Sequence, residues 1–171
     1  MSSDALPAGE GLRTFFRGCA SGVWIITTLA PDGAPVGFTA SSVASVSLDP
    51  ATLTFSLQAG SSSWPAVEAA EEVAIHALGV GDAALAQRFS TSGINRFEGV
   101  DHLPGPTGLP VIRGLGAVLR ARILTTIPVG DSRLVLAQCV ETYIAGDRPP
   151  PLIHSARSYW TAEPVHESEQ D

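Results

Sequence analysis

Lysine is absent from this chain of 171 residues, so its ten Lys and Arg positions are all arginine. The absence excludes catalysis that needs a lysine amine, such as Schiff-base formation. With 17 acidic residues the formal net charge is −7, and no basic stripe of the kind that binds nucleic acid is present. An anionic ligand must therefore be met by a few arginines, by hydroxyl groups or by backbone N–H groups at a helix start.

Cysteine is scarce and long apolar runs are missing. Cys19 and Cys139 are too few for a disulfide framework or a thiolate cluster, and we expect both to be buried apolar fillers. No grouping of His, Cys and carboxylates has metal-ligand spacing, so we predict no metal site. No stretch approaches the roughly 18 apolar residues of a membrane helix, and the N-terminus lacks the order of a secretory signal. We expect a cytoplasmic protein that contacts no membrane.

The length and the periodicity of the chain predict one mainly β domain with a few short helices. We place it at residues 11–162, with a flexible N-terminus over 1–10 and a disordered tail over 163–171. Turn signals at Asp32-Gly33 and Gly130-Asp131 predict two antiparallel hairpins. Because the G-x-G-x-x-G fingerprint is missing after every predicted strand, a small β-barrel is favoured over a doubly wound sheet.

The segment "GFTASSVASVSLDP", residues 37–50, carries four serines and a threonine but no charge before Asp49. Apolar residues alternate with the hydroxyls, which predicts a strand with Phe38, Val43, Val46 and Leu48 against the core. The hydroxyls are then candidates for lining a pocket, although ordinary strand serines that bond to neighbouring backbone give the same pattern.

Two further segments are candidates for function. In "AGSSSWPAVEAAEE" a serine-rich loop enters a helix that Ser62 or Ser63 can cap, with Pro65 in the first turn. From Thr91 to Pro110 the chain is rich in Gly and Pro, which predicts a loop of about twenty residues that covers a site or is disordered. His76, in a predicted central strand, is expected to be a hydrogen-bonded core histidine rather than a catalyst.

The order of several motifs resembles the short-chain flavin reductase family, the reductase components of two-component flavin monooxygenases. The matching segments run from about Leu12 to Trp160 and include "SGVWIITT", "GFTASSVASVSLDPATLTFSL", "SSSWPAV", "VAIHAL", "LAQRFS", "RFEGV", "GLPVIRGLGAVLRARI" and "PLIHSARSYW". The resemblance implies an FMN-binding split β-barrel, a homodimer with FMN or FAD near the subunit interface, and NADH or NADPH as co-substrate.

The resemblance also implies a set of cofactor-binding residues. Those expected along the isoalloxazine ring and the ribityl chain are Thr39, Ala40, Ser41, Ser42, Ser45, Val46 and Ser47. Those expected at the phosphate are Ser61, Ser62, Ser63, Trp64 and Arg88, with Phe89 beside them. The C-terminal motif adds Arg157 and Tyr159. A plain N-cap for the serines and a solvated helix position for Arg88 are the alternatives.

The chain departs from the family pattern at two positions. Ser132 follows Gly130-Asp131 where many members of the family carry a His close to the nicotinamide or the flavin ring, and His154 replaces an aromatic residue of the "PL-x-Y" motif. By the resemblance Ser132 is the candidate catalytic position. Serine can hydrogen bond but cannot titrate near neutral pH. Ser132 is therefore either a substitute at the nicotinamide or an ordinary turn former.

Two hypotheses about the function remain open. In the first, the protein is an NAD(P)H-dependent flavin reductase that supplies reduced FMN or FAD to a partner monooxygenase. In the second, the barrel acts as a flavin-dependent enzyme or a flavin-binding component on a small molecule, and the loop from Thr91 to Pro110 shapes the substrate pocket.

Overall fold

A computed structural model describes residues 6–163. The predicted flexible N-terminus and disordered tail lie largely outside these residues, and the first helix already begins at Ala8. The helices are α1 (Ala8–Gly18), α2 (Trp64–Ala69) and α3 (Ala83–Ser90). The strands are β1 (Ser21–Gly22), β2 (Trp24–Leu29), β3 (Pro35–Ala40), β4 (Ala44–Leu48), β5 (Ala51–Gln58), β6 (Glu72–Ala77), β7 (His102–Pro104), β8 (Pro110–Ile112), β9 (Ala117–Val129), β10 (Ser132–Ile144), β11 (Leu152–Ser155) and β12 (Ser158–Thr161).

Seven strands form one antiparallel sheet in the order β3-β2-β6-β9-β10-β5-β4. Its two edge strands, β3 and β4, are consecutive in the chain and are joined by residues 41–43. The sheet curls until β3 faces β5, and the rings of Phe38 and Phe55 lie 6.4 Å apart. The barrel is left open along a seam between β3 and β5, which face each other without a ladder. This curled, open sheet confirms the predicted mainly β split barrel.

The inner face of the curled sheet forms the main core. Alternate residues of each strand point inward, as the two-residue period of a strand requires. The buried residues of this core include Ile26, Phe55, Val73, Val135 and Ala137. Apolar burial on this scale is the dominant favourable contribution to folding.

A second apolar cluster lies beneath α3. Its members include Val23, Ile25, Phe89, Phe97 and Leu152, and the rings of Phe89 and Phe97 meet edge to face at 5.1 Å. A three-stranded sheet, β1-β11-β12, and the small β7-β8 pair flank this cluster. The twenty-residue loop predicted over Thr91 to Pro110 is therefore partly wrong, because β7 forms inside it and pairs with β8.

The two predicted hairpins are confirmed. Gly33, with φ +83°, closes the turn between β2 and β3 by donating its N–H to Ala30 O at 2.8 Å. Gly130 turns the chain between β9 and β10 with φ +55°. Both backbone conformations favour glycine because it has no Cβ.

The expected burial is not met at four residues. Val46 and Leu48 are 57% and 89% exposed, because β4 is an edge strand with a register shift between Ser45 and Ser47 that breaks the alternation. Cys19 is exposed at the end of α1, and Cys139 is half-buried.

No helix within residues 6–163 is long and apolar enough to cross a membrane.

Candidate functional site

An open cavity of about 630 Å³ lies beside the seam, where the chain passes from β3 to β4. It is bounded by this crossing, by the end of β5 with the loop that follows, and by the end of α3 with the loop after it. The lining residues are Phe38, Thr39, Ala40, Ser41, Ser42, Ser56, Leu57, Gln58, Gly60, Ser61, Ser62, Phe89, Ser90, Ser92, Gly93, Arg96 and Ser132.

The end of β3 and the crossing to β4 form the first part of this lining. Thr39, Ala40, Ser41 and Ser42 all face the cavity. The Thr39 hydroxyl donates to Ala86 O at 2.6 Å, which ties β3 to α3. Thr39 therefore has a structural role in addition to lining the cavity.

Ser42 bridges the two sides of the seam. Its hydroxyl donates to Ser56 O at 3.1 Å and accepts the Ser56 N–H at 3.0 Å. At this position β3 and β5 approach each other without forming strand-to-strand hydrogen bonds. The Ser42 side chain supplies the two bonds that a neighbouring strand would otherwise make to Ser56. Within residues 6–163 the Ser41 hydroxyl makes no such bond, so it is available to a ligand.

Ser45, Val46 and Ser47 lie on β4 and are not among the cavity residues. The Ser47 hydroxyl donates to Asp49 O at 3.2 Å, which is a local turn contact. The structure thus separates the first half of the serine-rich segment from the second. Flavin contact by these three residues stays a prediction.

The serine-rich loop before α2 divides in the same way. Ser61 and Ser62 line the cavity, whereas Ser63 and Trp64 are buried. Ser63 occupies the N-cap position but makes no side-chain capping bond, because its hydroxyl instead accepts a bond from Arg96 Nη1 at 2.9 Å. Capping by the Ser63 side chain was therefore a wrong expectation.

Arg88 does not line the cavity. Its guanidinium donates to three backbone carbonyls of the loop after α3, those of Asn95, Arg96 and Glu98, at 3.3, 2.9 and 2.6 Å. Phe89, the next residue, lines the cavity and packs against Gly37, where an added Cβ would lie 2.6 Å from its ring. Contact between Arg88 and a phosphate stays a prediction.

Arg96 is the charged residue among the cavity residues that the sequence did not predict; the others include Ser56, Gln58, Ser90 and Ser92. It donates from Nη1 to Gly37 O at 2.8 Å and from Nε to Thr91 O at 2.8 Å. The signal was present, since "RFEGV" belongs to the matching motifs, but nothing in it distinguishes Arg96 from Arg88, which also precedes a phenylalanine. Only the fold shows which side chain turns toward the cavity.

Ser132 begins β10 and pairs with Gln58 at the end of β5. Its hydroxyl donates to Asp131 Oδ1 at 3.0 Å, and its backbone carbonyl accepts a bond from Arg133 Nη1 at 2.9 Å. The first bond is typical of a turn, yet the residue also lines the cavity. A catalytic role for Ser132 stays a prediction.

Arg157 and Tyr159 lie in the β11-β12 hairpin and are not among the cavity residues. Arg157 has φ +65° at the tip of the hairpin and is exposed. Tyr159 packs against the second apolar cluster and its ring lies 5.6 Å from that of His154. Burial raises the pKa of the Tyr159 hydroxyl.

His76 is a core histidine, as expected. Nδ1–H donates to Ile25 O and Nε2 accepts the Ile112 N–H, both at 3.1 Å, which fixes the neutral tautomer. Burial lowers the pKa of His76 to about 4, against the opposing effect of the bond to Ile25. Among residues 6–163 no three His, Cys, Asp or Glu side chains are grouped to hold a metal ion.

The cavity suits a molecule that is apolar at one end and anionic at the other. Phe38, Leu57 and Phe89 provide apolar walls, and hydroxyl groups surround them. Arg96 supplies a cation at one side. A phosphorylated flavin has this division, with a ring that presents donors and acceptors and a charged phosphate at the end of a ribityl chain.

Comparison with known proteins agrees with this chemistry. Residues 16–163 match the family model described as flavin reductase like domain. An NADH:riboflavin 5'-phosphate oxidoreductase of Streptomyces pristinaespiralis is 37% identical, over 91% of this chain and 89% of the relative. The reductase subunit HsaB of a flavin-dependent monooxygenase of Mycobacterium tuberculosis is 30% identical, over 84% of this chain and 77% of the subunit.

A solved structure supports the same conclusion. The crystal structure of a flavin reductase domain protein from Arthrobacter sp. FB24 superimposes with a TM-score of 0.87 at 33% identity, covering 93% of this chain and 98% of that one. The family match extends over most of the chain and agrees with the resemblance read from the motifs. The chain belongs to the flavin reductase-like family.

Proposed function

We propose that this protein is an NAD(P)H-dependent flavin reductase that reduces FMN or FAD and releases it to a partner monooxygenase. The observation that carries the proposal is the cavity beside the seam, which combines apolar walls, free hydroxyls and one arginine in a chain of net charge −7. The names of the Streptomyces and Mycobacterium relatives support the co-substrate, the flavin and the partner.

The protein's own part in this reaction is binding and alignment. A flavin held in the cavity supplies the hydride-accepting chemistry, and the walls need few catalytic side chains. Ser41 and Ser42 with Ala40 would face the ring and the ribityl chain, and Ser61 with Ser62 would face the phosphate. Ser132, which also lines the cavity, is the proposed contact of the nicotinamide.

We propose that the functional form is a homodimer. Large apolar side chains are exposed on neighbouring strands β9 and β10, among them Leu124, Ile127, Val129 and Leu134. A row of exposed apolar residues on a sheet face usually marks an interface. Because Val129 pairs with Ser132, this surface borders the cavity, so the flavin site would lie near the second subunit.

The proposed location is the cytoplasm. Exposed Cys19 has no disulfide partner among the described residues, and free thiols are typical of reducing compartments. The acidic charge agrees with a partner that is reached through diffusible reduced flavin rather than through nucleic acid or a membrane surface.

The test is direct. Purified protein is mixed with FMN, FAD or riboflavin, and oxidation of NADH and of NADPH is followed by absorbance under anaerobic and aerobic conditions. We expect flavin-dependent oxidation of at least one nicotinamide. Flavin binding without turnover would contradict the reductase proposal and favour a flavin-dependent enzyme or a flavin-binding component acting on a small molecule. Absence of flavin binding would contradict both.

A further inference from the structure

Arg96 is a cation without an anionic neighbour in the described part of the chain, residues 6–163. It is half-buried at the cavity, and the acceptors that hold it, Gly37 O, Thr91 O and Ser63 Oγ, are all neutral. Among residues 6–163 no carboxylate oxygen lies within 4.0 Å of its guanidinium. Partial burial of such a group costs free energy that an anionic ligand would recover.

The geometry leaves part of this guanidinium available. The bonds within the described residues use Nε and Nη1, so Nη2 still has two N–H donors to offer. Arg96 is also the single arginine among the described residues that line the cavity. Charged N–H donors of this kind make strong hydrogen bonds to phosphate oxygens.

Arg88 serves a different purpose. Its bonds to the carbonyls of Asn95, Arg96 and Glu98 gather the loop that carries Arg96, and its carboxylate contact with Glu98 is long, at 3.9 Å. Three carbonyls on one guanidinium fix the backbone on both sides of Arg96. Arg88, which the resemblance implied at the phosphate, thus holds the loop that carries Arg96, and Arg96 is the arginine that lines the cavity.

We propose that Arg96 binds the phosphate of the flavin and that Arg88 is a positioning residue that acts through Arg96. The inference rests on the proposed function and adds to it a selection for phosphorylated flavins, FMN and FAD, over riboflavin. The proposal also gives the buried Ser63 a role, because its hydroxyl accepts a hydrogen bond from Arg96 and orients the guanidinium.

The first experiment measures dissociation constants of FMN and riboflavin by quenching of flavin fluorescence. Arg96→Met should weaken FMN binding by about 10- to 100-fold, since bonds to a charged group are lost, and should change riboflavin binding by less than about 2-fold. Arg96→Lys, which keeps the charge but not the guanidinium bonds that orient it, should fall between. Arg113→Met is the matched control, because Arg113 is exposed, pairs loosely with Asp101 at 3.8 Å and lies outside the cavity.

The second experiment is a double-mutant cycle. Arg88→Met alone should weaken FMN binding, whereas adding it to Arg96→Met should cost little more, because a positioning residue has nothing left to position. A structural role for Arg88 that is independent of Arg96 would give additive losses and would overturn that half of the proposal.

The outcomes separate this inference from the proposed function. If the wild-type protein oxidises NAD(P)H with flavin but Arg96→Met affects FMN and riboflavin equally, only the Arg96 assignment fails. If the wild-type protein binds no flavin, the proposed function fails with it. Should Arg96→Met not fold, as judged by circular dichroism, Arg96→Lys decides the question: unchanged FMN affinity together with an unchanged dependence on salt would overturn the proposal.

Discussion

At the scale of single residues, the hydroxyl groups around the cavity fall into two sets. The hydroxyls of Thr39 and Ser42 are hydrogen bonded to the backbone of neighbouring elements. The hydroxyls of Ser41 and Ser62 make no hydrogen bond within residues 6–163. The sequence pattern does not distinguish the sets, because both are short polar side chains between apolar ones. The distinction matters for mutagenesis, since only the second set can be removed without loosening the barrel.

Ser132 offers a test of the family departure. Ser132→His should raise kcat or lower the KM for NAD(P)H by a factor on the order of 10, because an imidazole can orient the carboxamide or stabilise negative charge. Flavin affinity should change little. Steady-state kinetics with both nicotinamides provide the measurement, and Ser132→Ala is the control for loss of the hydroxyl. Unchanged constants in the His variant would mean that the turn takes no part in hydride transfer.

His76 predicts a pH dependence of stability. Its folded pKa of about 4 lies below the unfolded value of 6.5, so between these values the unfolded chain binds the proton and the folded protein does not. The free energy of unfolding should therefore fall by roughly 2 kcal/mol between pH 7 and pH 5 from this group alone. Urea titrations at several pH values measure the fall.

The matched variant for this prediction is His76→Gln, whose side-chain oxygen can still accept the Ile112 N–H. It should be less stable at pH 7, yet its stability should vary less between pH 7 and pH 5. An equally steep decline in wild type and variant would show that His76 is not the source of the pH dependence.

At the scale of elements, the crossing from β3 to β4 joins fold and site in one segment. It bridges the seam through the bonds between Ser42 and Ser56 and presents Ser41 to the cavity. The ladder between β4 and β5 ends at Thr54, so the backbone of Ser56 has no strand partner on that side. A side chain that both donates and accepts can satisfy the Ser56 pair and still leave the seam open to a ligand.

Neighbouring serines in this crossing should respond differently to alanine. Ser42→Ala should lower the free energy of unfolding by about 1 kcal/mol, because two exposed bonds to Ser56 are lost. Ser41→Ala should leave stability nearly unchanged and weaken flavin binding. Thermal melts and fluorescence titrations on the two variants provide the comparison. Equal destabilisation by both changes would contradict the assignment of Ser42 as the bridge.

Elements with a strong local signal could be predicted from the sequence, and those set by distant contacts could not. The Asp32-Gly33 and Gly130-Asp131 turns specify their hairpins locally, and Gly33 and Gly130 adopt positive φ there. The bulge in β4 and the pairing of β7 with β8 depend on partners elsewhere in the chain, so alternation alone placed Val46 and Leu48 wrongly inside. The direction of Arg96 is likewise decided by a loop that Arg88 holds.

At the scale of the whole molecule, the single chain leaves much of its apolar surface uncovered. On α1, Leu12, Phe15 and Phe16 are each more than 60% exposed, and no residue of the helix is buried. The distal parts of β9 and β10 show a second such surface. Neither the acidic charge nor the closed core explains these faces, and association of two chains covers apolar area at a favourable free energy.

The dimer prediction can be tested at Ile127, which pairs with Leu134 on the outer face of the sheet. We expect the wild-type protein to be a dimer at micromolar concentration by light scattering. Ile127→Glu should shift it toward monomer, because an unpaired charge would be buried in the interface. Since this surface borders the cavity, flavin affinity should fall in the same variant.

Leu103→Glu is the control for the Ile127 substitution. Leu103 lies on β7, outside both surfaces, and is 49% exposed, close to the 45% of Ile127. Its substitution introduces the same charge on an equally exposed strand residue, so the dimer should persist. A wild-type monomer would contradict the homodimer outright. A dimer that survives Ile127→Glu unchanged would move the interface to another face, with α1 as the next surface to alter, because its apolar side chains are the most exposed on any helix of the described chain.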